Sequence, residues 1–359
     1  MYPLGLSSSP TSGPVSSKVL GFDFLTRERV LNVAIQRSSS KYVLTAIVIM
    51  AWLSFPWLFK NPYIQSLFVG VGMWFITAIG YNIVLGNTGQ FSFGHGAFVG
   101  IGAYVTCCLY VLLGINYWCS FLIALIVTGF IGCLVALIAI RLGTFYLAIA
   151  TVAFHLIFYS YVTRSSLVRA EIGFKVLRPT FGSMAIDSDL KYFYVVWIIA
   201  FVLLFFARNL ISSKFGRMLK AVQEDEVAAA TTGINVTYAK LSVFTLSAIF
   251  AAITGGLMGP YLGYLSPHAY DPFLSITILM TVIIGGLGSI WGSLLGTFFM
   301  ILLPEAIRFL GSLPFITPEM NKIITHDLFR HLVFSLLLFF CIAYLPKGIA
   351  GLISDRFHR

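Results

Sequence analysis

Arg208-Asn209-Leu210-Ile211-Ser212-Ser213-Lys214-Phe215-Gly216, continued through 217–232 to Gly233-Ile234-Asn235, is a long polar interruption in an otherwise almost continuously apolar chain. Three of the thirteen acids stand here in a row as Glu224, Asp225 and Glu226. Gly216 and Gly233 bracket a run of good helix formers without proline. At 100° per residue, Met218, Leu219, Val222, Ala229 and Ala230 gather on one side, with Lys220, Glu224 and Ala228 on the other. Lys220 and Glu224 are one turn apart and can pair, and Gly233 is placed to serve as a C′ cap. The expectation is one short amphipathic helix over 215–232, standing in water between two membrane spans and offered to a docking partner.

The rest of the chain sets the class. Of its 359 residues 58% are hydrophobic and 10% charged, with a mean hydropathy of +0.92. No soluble domain of this size could bury that much apolar surface, so lipid must cover it. The apolar runs are continuous over about twenty residues and do not alternate, which favours an all-α polytopic transmembrane bundle over a β-barrel. The net charge of +10 fits basic residues gathered at the ends of spans on the cytoplasmic side better than nucleic-acid binding. Cys107, Cys108, Cys119, Cys133 and Cys341 lie in apolar runs, odd in number and without metal spacing, and read as small core residues.

Residues 1–40 read as a retained cytoplasmic tail, within which 19–35 could form a surface helix. Residues 41–352 form the transmembrane domain, interrupted by the cytoplasmic loop 208–240, and 353–359 a cytoplasmic C-terminal tail. Spans are expected at 42–59, 63–85, 97–114, 117–140, 144–162, 191–207, 238–262, 273–287, 289–308 and 328–345, about ten crossings. With the basic N-terminus inside, six crossings bring Arg208 back to the cytoplasm, and Arg141, Lys347, Arg356 and Arg359 also fall inside. The 163–190 loop, with Arg164, Arg169, Lys175 and Arg178, falls outside against the rule, partly offset by Glu171, Asp187 and Asp189.

Gly86-Asn87-Thr88-Gly89-Gln90-Phe91-Ser92-Phe93-Gly94-His95-Gly96 holds four glycines and five polar side chains in eleven residues. That composition breaks an ordinary span. Irregular backbone at membrane depth is tolerated where it is buried in protein or lines a water-filled cavity, and broken helices of this kind form substrate sites in transporters. Asn87, Gln90, Ser92 and His95 are the candidate pathway contacts. The alternative is a tight turn followed by close packing, since Ser92, Gly96 and Gly100 form a small-residue stripe spaced by four. His95, and His155 likewise, also reads as a neutral packing residue whose ring N–H meets a carbonyl. His268, His326, His331 and His358 read as loop or interface residues. A second glycine-rich piece, 285–296, carries Gly288, Gly292 and Gly296 in two consecutive GxxxG steps, signalling close helix contact and a kink near 285–288.

No Asp or Glu stands centrally in a span; Asp271 and Glu305 are at ends. A proton- or sodium-coupled carrier normally needs buried ionisable groups, and a channel needs rings of charge or a carbonyl filter. The sequence has no phosphate-binding P-loop and no hydrolase or metalloprotease motif. It is therefore not read as an enzyme; transport is either passive or driven by energy supplied from elsewhere.

These residues resemble a known family. Residues 85–104, with the 86–96 run at their head, are similar to the signature of the permease subunits of branched-chain amino acid ABC importers. So are Arg141-Leu142-Gly143-Thr144-Phe145-Tyr146-Leu147-Ala148-Ile149, the 216–236 stretch followed by Lys240-Leu241, the 283–292 run, and Leu345-Pro346-Lys347-Gly348-Ile349-Ala350-Gly351-Leu352. The likeness covers about residues 62–352 in the family's order. It implies a subunit of the bacterial inner membrane with a second homologous permease, two cytoplasmic ATPases and a periplasmic or lipid-anchored binding protein. No cofactor is then bound by this chain, and ATP is held by the partners. The 215–234 helix becomes a coupling helix seated in an ATPase groove, with Arg217, Lys220, Glu224, Asp225 and Glu226 as its contacts. The chain departs from the family at His155-Leu156, where Gly-Glu is frequent, and at 165–173, where a Thr-Gly-Gly run is frequent. Urea, short amides and aromatic acids therefore stand beside hydrophobic amino acids as solutes, and a stand-alone facilitator is the rival from another class.

Overall fold

A computed structural model describes residues 61–139, 143–168, 172–181, 184–311, 326–344 and 348–351, together with Trp52 and Pro56. The tails 1–40 and 353–359 lie outside the described residues, and so does the first expected span apart from Trp52 and Pro56.

Every later expected span coincides with a helix. These are α1 (Pro62–Thr88), α2 (His95–Val111), α3 (Tyr117–Ala139), α4 (Gly143–Arg164), α5 (Asp189–Ser212), α8 (Val236–Leu262), α9 (Pro272–Gly285), α10 (Ile290–Gly311) and α11 (Asp327–Tyr344), with α6 (Lys214–Glu224) and α7 (Glu226–Thr231) between α5 and α8. Local chemistry fixes the starts. Asn61, Ser188, Ser213, Asn235 and Asp271 each accept a backbone N–H in the first turn of the helix that follows, and Pro62 and Pro272 occupy first helical positions, where a missing N–H costs nothing.

Six of the described helices (α1, α3, α4, α5, α8 and α10) are long and apolar enough to cross a membrane. α2 and α9 are shorter, at 17 and 14 residues, or about 25 and 21 Å at 1.5 Å per residue. Both fall short of a hydrocarbon core of roughly 30 Å, so each needs the irregular segment beside it to complete a crossing. The separation of 273–287 from 289–308 stands, with the turn at 286–289.

α8 is the axis of the bundle and packs against α1, α2 and α3. Small residues permit the approach: a Cβ at Gly255 would lie 1.8 Å from the Val99 carbonyl oxygen, and one at Gly102 would lie 2.5 Å from Ala252 Cα. In lipid, where apolar burial no longer drives association, such backbone proximity is what holds helices together.

At one end of the bundle, β1 (Phe174–Lys175) pairs antiparallel with β4 (Tyr264–Leu265). A second short hairpin joins β2 (Thr180–Phe181) to β3 (Met184–Ala185). The β1–β4 pair puts the α4–α5 and α8–α9 loops on the same side. α5 and α8 each cross once from there, so α6 and α7 lie at the opposite end. One basic residue of the α4–α5 loop and one at the start of α5 are matched locally. Arg178 donates to Asp189 Oδ1 at 2.7 Å and to the Asp187 carbonyl, and Lys191 pairs with Asp187 at 2.7 Å. The Lys191 ammonium, the largest influence, holds the exposed Asp187 carboxyl below its ordinary range.

One expectation is corrected. The 215–232 segment is not a single helix. Asp225 adopts an extended conformation (φ −157°, ψ 114°) and its carboxylate accepts the N–H groups of Val227 and Ala228, capping α7 and turning the chain. An Asp amid good helix formers is still a strong N-cap. The C′ assignment of Gly233 holds: at φ +86° it donates to the Ala230 carbonyl while Ile234 N–H reaches Ala229, a Schellman pair.

Candidate functional site

The break at 86–96 is narrower than its composition suggests. α1 continues through Thr88, and within it Asn87 Nδ2 donates to the Ile83 carbonyl and Thr88 Oγ1 to Val84. Gly89, at φ +66°, ends the helix in the left-handed region where glycine carries no Cβ penalty. The irregular backbone then runs from Gly89 to Gly94.

Ser92 and His95 form the polar centre of this joint. The Tyr81 hydroxyl donates to the Ser92 carbonyl at 2.9 Å, and Ser92 Oγ accepts the Gly94 N–H. His95 Nδ1 lies 3.2 Å from Ser92 Oγ, and its Nε2 lies 2.7 Å from Ser247 Oγ on α8. The imidazole is walled by Tyr81, Phe98 and Phe244. Its partners are hydroxyls, not the carbonyl expected. Asn87 is buried but turned onto its own helix. Gln90 is also buried, and its Oε1 has no hydrogen-bond partner. An orphan buried acceptor is costly in lipid-embedded protein. Of the four candidate pathway residues, then, Ser92 and His95 are brought into contact, Asn87 is not, and Gln90 alone carries an unused polar atom.

The second glycine-rich stretch meets the first. Asn82, on α1, accepts from Gly288 N–H at 2.7 Å through Oδ1. Its Nδ2 donates to the Ser289 carbonyl and to Ser293 Oγ, both at 2.8 Å, and more weakly to the Gly286 carbonyl. Gly86 lies so close that a Cβ there would come within 2.2 Å of Gly288 N, and a Cβ on Gly348 would fall 2.6 Å from Gly286 Cα. Three of the family-like motifs therefore converge on one turn. The GxxxG stripe serves this chain's own α9–α10 hairpin: a Cβ at Gly296 would lie 2.0 Å from the Thr281 carbonyl oxygen, and Gly292 abuts Gly285.

His155 completes the interior. Its Nε2 lies 3.2 Å from the Tyr270 carbonyl and its Nδ1 2.8 Å from Ser275 Oγ, which itself accepts the Gly96 N–H. The carbonyl requires the proton on Nε2, so Ser275 donates to Nδ1. Gly96 and Gly100 of the predicted stripe make room for His155 and Phe158 of α4. Sequence reasoning missed Asn82, Tyr81, Ser247 and Ser275. Asn82 had a usable signal, an amide alone in an apolar run; the others are small or aromatic and carry none.

At the opposite end, α6 buries Gly216, Leu219 and Val222 against α1, α5 and α8 and presents Arg217, Lys220 and Glu224 to the exterior. Lys220 and Glu224 do not pair; Glu226 instead pairs with Lys240 at 2.5 Å. Among the described residues, Lys240 is the one buried side chain with a permanent charge.

A bundle of apolar helices, with irregular joints at its centre and a polar helical knuckle at one end, defines a multi-pass membrane protein of the transporter type. The chain belongs to the family described as branched-chain amino acid transport system / permease component, which matches residues 63–343. It is similar to the high-affinity branched-chain amino acid transport system permease protein LivM of Salmonella typhimurium, 30% identical over 261 residues covering 66% of this chain and 61% of the relative. The similarity to LivH of Escherichia coli is 27% over 267 residues, covering 65% and 82%. A probable branched-chain amino acid permease LivH of Methanocaldococcus jannaschii is 28% identical over 239 residues, covering 62% and 72%. The match thus spans about three fifths of the LivM relatives' length. No solved structure matches the chain.

Proposed function

We propose that this chain is one membrane-spanning subunit of an ATP-binding-cassette importer that moves branched-chain and other hydrophobic amino acids inward by alternating access. It performs no covalent chemistry. ATP is bound and hydrolysed by two separate cytoplasmic subunits, a second homologous permease completes the membrane unit, and a binding protein outside selects the solute. Both termini and α6–α7 face the cytoplasm of a bacterial inner membrane, and the β1–β4 end faces outward.

One observation carries this reading: an exposed, charged helical knuckle lies at the opposite end from the β1–β4 loops, on a bundle whose irregular interior is polar and, among the described residues, holds no buried acid. Such an interior suits a zwitterion or neutral solute, and offers no buried carboxylate for ion coupling. Asn87, Gln90, Ser92 and His95 border the pathway. Arg217, Lys220, Glu224 and Asp225 meet the ATPase, Asp225 also shaping the knuckle as a cap.

The test is uptake of radiolabelled leucine, with urea as the comparison probe, into proteoliposomes holding the whole assembly. Leucine uptake should require ATP inside and stop with vanadate, and Glu224→Lys should lower the leucine moved per ATP hydrolysed. Leucine flux through liposomes containing this chain alone would make it a facilitator, and urea uptake without leucine uptake would reassign the solute.

A further inference from the structure

The ion pair between Glu226 and Lys240 lies outside the broken interior, yet it stands where the knuckle joins the central helix. Glu226 opens α7 and Lys240 is in the second turn of α8. Lys240 is buried, with its side chain 7% exposed, while Glu226 remains half exposed. A buried ammonium is expensive, and an apolar side chain of the same volume would fasten two helices at least as well. Stability alone does not explain its placement. Seven residues further along α8 stands Ser247, whose hydroxyl meets His95 Nε2 at 2.7 Å. Seven residues are within about 20° of two full turns, so Lys240 and Ser247 share one face about 10 Å apart. His95 in turn meets Ser92 within the 86–96 joint. A continuous set of contacts runs from α7 through the Glu226–Lys240 pair, along α8, to the irregular segment.

We propose that Glu226 and Lys240 are positioning residues that transmit displacement of α7 to α8, and through Ser247 to His95 and the 86–96 joint. This rests on the importer reading above. The pair is directional and can carry a pull as well as a push, which an apolar contact cannot. α6 also packs against α1, so a share of the motion reaches the joint without the ion pair, and loss of the pair reduces coupling without abolishing it.

The experiment compares wild type with Glu226→Gln, Lys240→Gln and the reversed pair Glu226→Lys/Lys240→Glu, in the whole assembly, with leucine as probe. Leucine moved per ATP hydrolysed is measured alongside the amount of chain co-purifying with the ATPase. Each single variant should lose about ten-fold in uptake per ATP, within the usual 5–150-fold reach of coupling between sites, with co-purification unchanged. The reversed pair should recover at least half of the loss. Glu226→Gln, half exposed and uncharged, keeps the test alive where the Lys240 variant fails to accumulate. Wild-type coupling in Glu226→Gln, or a reversed pair no better than the singles, would overturn the proposal. Wild-type uptake that persists without ATP would instead overturn the importer reading itself.

Discussion

The two glycine-rich joints look alike in composition and are built on opposite principles. In the 86–96 joint, Gly89 is needed for its backbone angle, with open space where a Cβ would go. Apart from Gly86, which abuts the Gly288 backbone, most of the joint is tied by side chains: Tyr81 to Ser92, His95 to Ser247, Phe93 N–H to Thr151. In the 285–296 joint Gly285, Gly292 and Gly296 are needed for room, backbone against backbone, while Gly286 (φ +123°) and Gly288 (φ +73°) are needed for their backbone angles. The first joint is held mainly by hydrogen bonds that can exchange partners; the α9–α10 hairpin of the second adds backbone contacts with no slack. A transporter needs one part of its interior to move against another that does not. The difference suggests that α9–α10 is the fixed element and the 86–96 joint the mobile one.

The sharpest way to break that contrast is Gly296→Val. Its Cβ would meet the Thr281 carbonyl oxygen at 2.0 Å, and backbone cannot yield as a side chain can, so the cost should reach about 3 kcal/mol or more. The expected outcome is loss of the chain from the membrane fraction, read by quantitative blotting and thermal denaturation in detergent. Normal accumulation would show that the α9–α10 hairpin can spread, and the rigid half of the comparison would fail. Asn82→Leu comes next, because it removes the side-chain hydrogen bonds between the joints and leaves the close approach of Gly86 to Gly288. Three or more hydrogen bonds are lost, yet membrane-buried polar contacts each contribute little over half a kcal/mol on average, so about 1–2 kcal/mol of stability should go. Gly89→Ala is milder: no neighbour obstructs it, and only the left-handed backbone angle resists, at about 1 kcal/mol. Denaturation midpoints for the three should fall in that order.

Much of this was legible in the sequence, for stated reasons. A continuous apolar run can be satisfied in lipid only by a helix, so every described span after the first was placed within a few residues. The polar loop between α5 and α8 is legible from its composition, but not its bend: Asp225 sits among strong helix formers, and only the geometry of its carboxylate against Val227 and Ala228 shows that capping outcompetes propensity. The glycine clusters were visible, but not that 86 meets 288 and 348 meets 286, because contacts between residues far apart in sequence leave no periodic trace. Glu226 was assigned outward with its two acidic neighbours. Its partner Lys240 lies fourteen residues away, past the end of α7, a turn and the start of α8, beyond the reach of any spacing rule on a single helix. A joint Glu224/Glu226 charge reversal would thus place a lysine beside buried Lys240 and confound docking with folding. The Glu224→Lys variant alone separates the two.

Gln90→Met tests the mobile joint with the smallest structural disturbance. Gln90 is buried, its Oε1 unpaired, and methionine matches its length and flexibility without the amide. Removing an unsatisfied acceptor from an apolar interior should be neutral or stabilising, by about 0–1 kcal/mol. If the joint only packs, uptake of leucine should follow stability and stay at the wild-type level or rise. If the joint borders the pathway, the amide is there to meet a passing solute, and uptake should fall several-fold while the denaturation midpoint holds. The two quantities move apart in one case and together in the other. A single conservative substitution therefore decides between the two uses of glycine-rich sequence at this position, where composition alone left both open.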